Sequence, residues 1–502
     1  MVRLFWVLLP LTTIVAKAQQ PWTFTHGKPG MDVRATDLAW ADSGLVITCD
    51  FAEAPFHPPQ SGSIIRLSTS GLMIDEHALA PALHLTGPKV LLVGPNKRLH
   101  VIGNYADHAD STYGFFHFGC APDGTVQDSA FIPAPGAIGS HVENAIFLDD
   151  ETIIVGGSLK YQMTTSSQYT QLLKLSEGGE VLETRTFGIP GLHLQYTRDI
   201  LPYRGGLLVS TEQYPQFPGI YYQFTTDLEP LSDWFGQAPH PDPLNPLDSI
   251  VKAAMTLRSL PHDWYMVGGA FKIPNDQYSS AVYVVDSTHA TKKIFVPHSP
   301  YSHDHSALFE TISSIDTGSF YFLSWENIYL YGAWIPYEAT EPDVLHVYKL
   351  DNDLNVLCEY VLDGFADSTH YFPTRIKTTP DGGFAILGGK KDMTDPNANM
   401  QAWVQTFGAS DCVVGIEDRE ISRTAIVYPN PGSNGFEVVL SGHVLSSGRL
   451  TLHDARGAQV AEAAINGSMG SVDCTNLPSG LYLYRITDRS GQPVATGRWV
   501  KQ

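Results

Sequence analysis

Seven segments of this 502-residue chain repeat one pattern, and repetition at a near-constant period settles an architecture before any single residue can be given a role. Their cores read LVITCDF from Leu45, LHVIGNY from Leu99, IIVGGSL from Ile153, LLVSTEQ from Leu207, YMVGGAF from Tyr265, FYFLSWE from Phe320 and FAILGGK from Phe384. Each apolar run ends on a small residue: Thr48, Gly103, Gly156, Ser210, Gly268, Ser324 and Gly388. The steps between these markers are 55, 53, 54, 58, 56 and 64 residues.

Every core is preceded by a turn and an earlier apolar strand, as in AIFLDDETIIVGG and RIKTTPDGGFAILGG. Asp-Asp, Asp-Gly and Gly-Gly between apolar runs are hairpin signals, because such turns need residues that tolerate positive φ. A polar, variable stretch follows each core, and then a second hairpin, as in QLLKLSEGGEVLETRTFG. Four strands per repeat therefore predict an all-β, seven-bladed β-propeller over residues 19–408. A content of 44 Gly and 34 Pro with only 17% charged residues agrees with short strands joined by tight turns. The last repeat stops after its third strand, Ala402 to Gly408, and Pro21 to Gly27 reads as the strand that completes it. That pairing removes an exposed edge. The GG-ended cores with DGG turns are similar to those of PQQ-type and kelch-like propellers; neither a WD dipeptide pattern nor Asp-box strings recur.

The N-terminus has a short basic start, an apolar run from Leu4 to Val15, and Ala16-Lys17-Ala18 before Gln19. This is the pattern of a signal peptide over residues 1–18, cleaved between Ala18 and Gln19. The apolar run is too short to cross ~30 Å of hydrocarbon as a helix, so no transmembrane segment is expected in the mature chain. A formal charge of -21 and the absence of a basic stripe argue against nucleic acid. Residues 424–502 carry six Arg or Lys and five Asp or Glu, which leaves about -22 on everything before them.

That C-terminal stretch alternates apolar strands with Asn-Pro, Arg-Gly and Ser-Gly turns, the pattern of a small antiparallel β-sandwich. Tyr428-Pro429-Asn430-Pro431 begins it, Asp454 and Gly457 mark a middle turn, Leu477-Pro478-Ser479-Gly480-Leu481-Tyr482 comes near the end, and Gly497-Arg498-Trp499-Val500-Lys501 closes it. In order and spacing these residues closely resemble the type A sorting domain of the Bacteroidetes type IX secretion system. The resemblance implies a partner, the type IX machinery, and a protein secreted or attached to the cell surface after transit through the periplasm. Arg498 and Lys501 are expected to put positive charge on the terminal strand. Residues 409–423 carry mixed charge and little pattern and read as a linker, near which the family's cleavage usually falls.

Chemistry is harder to find. His298, His303 and His305 lie in one polar connector, and alternate histidines of an extended segment can face a zinc ion; no third ligand is identifiable, and surface histidines explain the segment better. Asp351-Asn352-Asp353-Leu354-Asn355 has the acidic spacing of a calcium loop but lacks its Gly and closing Glu, so a hairpin turn is the better reading. No nucleophile elbow, HExxH helix, phosphate loop or cofactor motif is present. Tyr105, Tyr113, Tyr161, Tyr214, Phe217, Trp325, Tyr329, Tyr331, Trp334 and Tyr337 in the variable loops could stack on sugars, or pack between blades. Of five cysteines, Cys358 and Cys412 form a candidate bridge, and buried inert thiols are expected for most of the rest. The expectation is a propeller that binds a glycan, peptide or surface protein. The alternatives are a polymer-degrading hydrolase or lyase with its site in the channel, and a purely structural role.

Overall fold

The computed structural model describes residues 21–409 and 425–502, apart from 42–43, 54–60, 80–84, 108, 162–167, 189–194, 214–216, 232–234, 238–249, 274–276, 298–303, 308, 315–317, 327–341, 396, 441–444, 455, 468 and 490–492. The signal peptide and linker residues 410–423 thus lie outside the described residues. Contacts divide the chain into two compact units, Met1–Val413 and Val414–Gln502; both are built of strands.

The first unit is a propeller-like array of antiparallel sheets in chain order, mostly of four strands. The first sheet joins Met31–Ala41, Gly44–Glu53, Ser61–Ser68 and Met73–Ala78. Burial falls from its core strand Gly44–Glu53, buried at all but its last residue, to the outermost strand, where nothing is fully buried. The continuous apolar runs are therefore the second strands, covered on both faces. In the last sheet, Thr369–Thr378, Phe384–Asp392 and Gln401–Phe407 are completed by Thr23–His26 from the other end of the chain, with Phe24 opposite Val404 and Thr25 opposite Trp403.

The small markers have a structural cause. In six sheets the innermost strand carries a register shift beside the marker: Asp37 stands opposite Thr48, Pro88 opposite Gly103, Asn144 opposite Gly156, Asp199 opposite Ser210, Thr256 opposite Gly268 and Pro373 opposite Gly388. A bulge turns one extra residue out of the ladder and sharpens the twist. The neighbouring sheet then packs onto the marker itself. A Cβ on Gly156 would sit 2.6 Å from Thr197 Cγ2, and one on Gly268 2.6 Å from Ile312 Cδ1.

Hydrogen bonds made by residues of these inner strands link each sheet to the next. Leu91 N donates to Asp37 Oδ2 (2.9 Å), Ser140 Oγ to Gly114 O (2.7 Å), Thr197 Oγ1 to Gly157 O (3.1 Å) and Leu257 N to Asp199 Oδ2 (2.5 Å). Thr311 N donates to Thr256 Oγ1 (2.7 Å) and Tyr371 N to Asp343 Oδ1 (2.8 Å). Thr374 Oγ1 then returns to Ala35 O of the first sheet (2.8 Å).

The second unit orders its strands as Ala425–Tyr428, Gly435–Leu440, Met469–Asp473, Gln459–Gly467, Leu445–His453, Gly480–Asp488 and Pro493–Lys501. Alternation sends Phe436, Val438, Leu450, Leu452, Tyr482, Tyr484, Ile486 and Trp499 into one apolar core.

Candidate functional site

The bulges on the inner strands put charged side chains where those strands meet. Lys89, Glu143 and Arg198 are themselves bulge residues, and Asp37 and Arg375 directly follow one. All five are buried, so each must find a partner or pay the cost of desolvation.

Arg375 holds the cluster together. Its Nε donates to Thr36 O (3.1 Å) and its second terminal nitrogen to Lys89 O (3.1 Å) and Glu143 O (3.3 Å), so one guanidinium bonds three carbonyls of three other sheets. Glu310 (3.5 Å) and Asp37 (3.6 Å) balance its charge. Lys377 joins the same two carboxylates at 2.6 and 3.5 Å. Burial works against charge on Lys377, but Asp37 and Glu310 outweigh it and raise its pKa above the ordinary lysine value. A second group surrounds Asp50, which takes a two-pronged contact from Arg34 (3.0 and 2.8 Å) and one from Lys89 (3.0 Å). Burial opposes ionisation there too, and these two cations hold Asp50 below its usual range. Glu143 is likewise depressed against burial by His141 (2.8 Å) and Arg198 (3.3 Å). Asp199 goes the other way: burial raises it to about 7, although the Leu257 and Ile200 amides pull it down.

Carboxylates in this cluster are thus already engaged by cations or amides of the chain. Sequence reading missed these residues. The signal that could have found them is a charge in the middle of an otherwise apolar strand one hairpin before each marker, as in GPKVLLV, HVENAIF and PTRIK.

Of the histidines read as metal candidates, His298 and His303 lie outside the described residues; the backbone of His305 sits in the short strand Asp304–Ser306, opposite Trp325. The acidic segment at Asp351 is a hairpin turn: Asp351 Oδ1 accepts from Asp353 N (2.8 Å) and Asn355 N (2.9 Å), with Leu354 at φ 65°. Tyr105 and Trp325 are core residues, and Tyr113 and Tyr161 pack against a core cluster. The Tyr214, Tyr329, Tyr331, Trp334 and Tyr337 positions and the Phe217 side chain lie outside the described residues. Cys49, Cys120 and Cys474 are free and buried; Cys358 is disulfide-bonded, and Cys412 is outside the described residues.

In the second unit the two ends of the motif set meet. Asn430 Nδ2 donates to Arg498 O (3.0 Å) and its Oδ1 accepts from Val500 N (3.0 Å), so one side chain bonds the outward edge of the last strand as a neighbouring strand would. Trp499 Nε1 donates to Pro429 O (2.9 Å), and Tyr482 Oη to Pro478 O (2.7 Å). Both Tyr428–Pro429 and Asn430–Pro431 are cis. A Cβ on Gly497 would meet Tyr484 Oη at 2.4 Å, which explains that glycine; Gly457, at φ 81°, sits in a turn only glycine adopts freely. Arg498 and Lys501 both lie on the last strand, Pro493–Lys501, and differ in exposure. The Lys501 side chain points inward, 8% exposed, and its amine donates to Cys474 O (2.6 Å) and Thr475 O (2.9 Å). Arg498 is exposed.

Residues 426–502 match the family described as "Secretion system C-terminal sorting domain". This tail marks the chain as one exported through type IX secretion, to the cell surface or beyond. No helix among the described residues is long and apolar enough to cross a membrane. No curated protein matches the chain. Among solved structures it is similar to an ancestral GH74 enzyme (TM-score 0.44, 10% identity, covering 95% of this chain and 63% of that one). It is also similar to a fungal alcohol oxidase of the AA5 family in complex with copper (0.43, 9%, 96% and 99%). A member of the DUF4221 family from Bacteroides vulgatus is a third (0.36, 10%, 78% and 96%).

Proposed function

We propose that this exported protein is a closed seven-bladed β-propeller, residues 19–408, joined by a linker, 409–423, to a β-sandwich sorting domain, 424–502. We read the propeller as a binding or adhesion module for a glycan, peptide or neighbouring surface protein. The cycle of inner-strand hydrogen bonds that returns from Thr374 to Ala35 supports a closed ring. One observation carries the choice of a binder over an enzyme: the Arg375 guanidinium, flanked by Glu310 and Asp37, bonds carbonyls of three other sheets and so ties inner strands together. Ligand contact then falls to the loops. In the sorting domain, Tyr428, Pro429, Asn430, Pro431, Gly457, Leu477, Pro478, Gly480, Tyr482, Gly497, Arg498 and Lys501 form the signal, most of them by shaping the module rather than by touching a receptor.

The test is to incubate the purified chain with panels of polysaccharides and peptides, and in parallel to probe a glycan array. Saturable binding without turnover is the expected result. Hydrolysis or elimination above the uncatalysed background, lost on changing Glu310 or Glu143, would instead establish the alternative, a polymer-degrading hydrolase or lyase with its site in the channel.

A further inference from the structure

The strands Gly480–Asp488 and Pro493–Lys501 have one face in the core and one in solvent. Tyr482, Tyr484, Ile486 and Trp499 occupy the inner face. On the outer face Leu481 and Leu483 are 48% and 50% exposed, beside exposed Arg485 and Arg498. Register places Leu483 opposite Arg498 and Leu481 opposite Val500, so leucines and arginines form one contiguous patch. Among the described residues neither Arg485 nor Arg498 has a carboxylate partner, whereas Arg449, further across the same sheet, is engaged by Glu462 at 3.3 Å. An apolar patch rimmed by polar residues is the form an interaction site takes.

The adjacent edge offers no alternative at its C-terminal end. Asn430 bonds Arg498 O and Val500 N, while Gly432 N donates to Val500 O and Gln502 N to Gly432 O. A partner therefore cannot add a strand at that end, while the face beside it stays open.

We propose that this Leu481–Leu483–Arg485–Arg498 face is the docking surface through which the export machinery takes hold of the chain, and that its partner is a protein surface presenting carboxylates around an apolar hollow. Charge complementarity argues for that chemistry. Among the described residues Arg485 and Arg498 have no carboxylate partner, and against the charge of about -22 on the rest of the chain this face is a place where an acidic surface is attracted. The inference rests on the reading of residues 424–502 as the export handle.

The experiment follows surface and periplasmic amounts of the full chain in producing cells. Arg485→Glu/Arg498→Glu and, separately, Leu481→Asn/Leu483→Asn are expected to lower surface delivery about tenfold, with periplasmic accumulation. Thermal melting of the purified chains should stay as in the wild type, because all four side chains are exposed; a merely structural role would move the melting and not spare it. Normal delivery of both double variants, while deletion of residues 424–502 abolishes it, overturns the docking face and leaves the handle intact. Normal delivery of the deletion itself overturns the handle, and the docking face with it. If sedimentation shows a wild-type dimer that the charge reversals dissociate, the face belongs to a second copy of the chain, and the acidic-partner assignment fails.

Discussion

The two units bury charge in opposite ways. Where inner strands of the body meet, Arg375, Lys89, Arg198, Asp37, Asp50 and Glu143 are all buried, and each has an ion-pair or hydrogen-bond partner within the body. The C-terminal module has an apolar core, and the amine of its buried lysine, Lys501, donates to two backbone carbonyls. Geometry accounts for the difference. Bulged strands of many sheets crowding together leave backbone groups that no ladder satisfies, and a guanidinium with several donors in a rigid fork can serve several at once. A small module closed by two aromatic residues and an asparagine clamp has no such convergence to fill. Polar residues in the body thus link sheets, and those in the module fasten its ends.

The strongest way to break this comparison is Arg375→Met. It leaves Asp37 and Glu310 short of a cation and three carbonyls short of a donor, and breaking a buried pair from one side costs about 3–5 kcal/mol. Urea unfolding should show the body's transition lost or shifted by that amount while the module's holds. An unshifted body transition would mean that the cluster is not what joins the sheets.

A smaller effect is expected from His346, which lies between Glu326 (3.4 Å) and Glu359 (2.7 Å). Burial opposes its protonation, but the two glutamates prevail and raise its pKa to about 9. A histidine raised in the folded state contributes stability that is fully present below its unfolded pKa of ~6.5 and disappears as pH rises through about 9. The wild type should therefore exceed His346→Gln by about 2 kcal/mol more at pH 6 than at pH 10. A pH-independent difference between the two chains would show that the imidazolium is not the stabilising species.

The smallest effect belongs to the module. Trp499→Phe keeps an aromatic ring in the core but removes the donor to Pro429 O, at a cost of about 1 kcal/mol confined to the module's transition. A shift in the body's transition instead would contradict the division of labour drawn above.

Much of the fold could be read from the chain because the relevant physics is local. Hairpin turns at Asp149-Asp150 and Asp381-Gly382-Gly383, core strands such as Ile153–Lys160, and the pairing of Thr23–His26 with the last repeat all follow from alternation, turn chemistry and the need to cover an edge. Even the markers were visible, though as ends of apolar runs, not as the places where a bulged strand presses from the next sheet. The charged cluster was not legible. Asp37 and Arg375 are 338 residues apart in the sequence and meet at 3.6 Å; a charge inside an apolar strand marks each as out of place, but its sequence neighbours do not say which partner it meets. The inward turn of Lys501 was hidden for a similar reason: strand alternation is visible, but the carbonyls that receive its amine come from Cys474 and Thr475.

By itself, then, the sequence determined an all-β body built on a repeat, a chain addressed for export, and a terminal module whose motifs occur in a set order. Period, turn residues and motif order are properties of neighbouring positions and survive without coordinates. Only the tertiary structure decided which charges are buried together, that Asn430 closes the last strand, and that Arg498 faces solvent while Lys501 does not. Those outcomes depend on distance across sheets, where desolvation and pairing are set by residues far away along the chain.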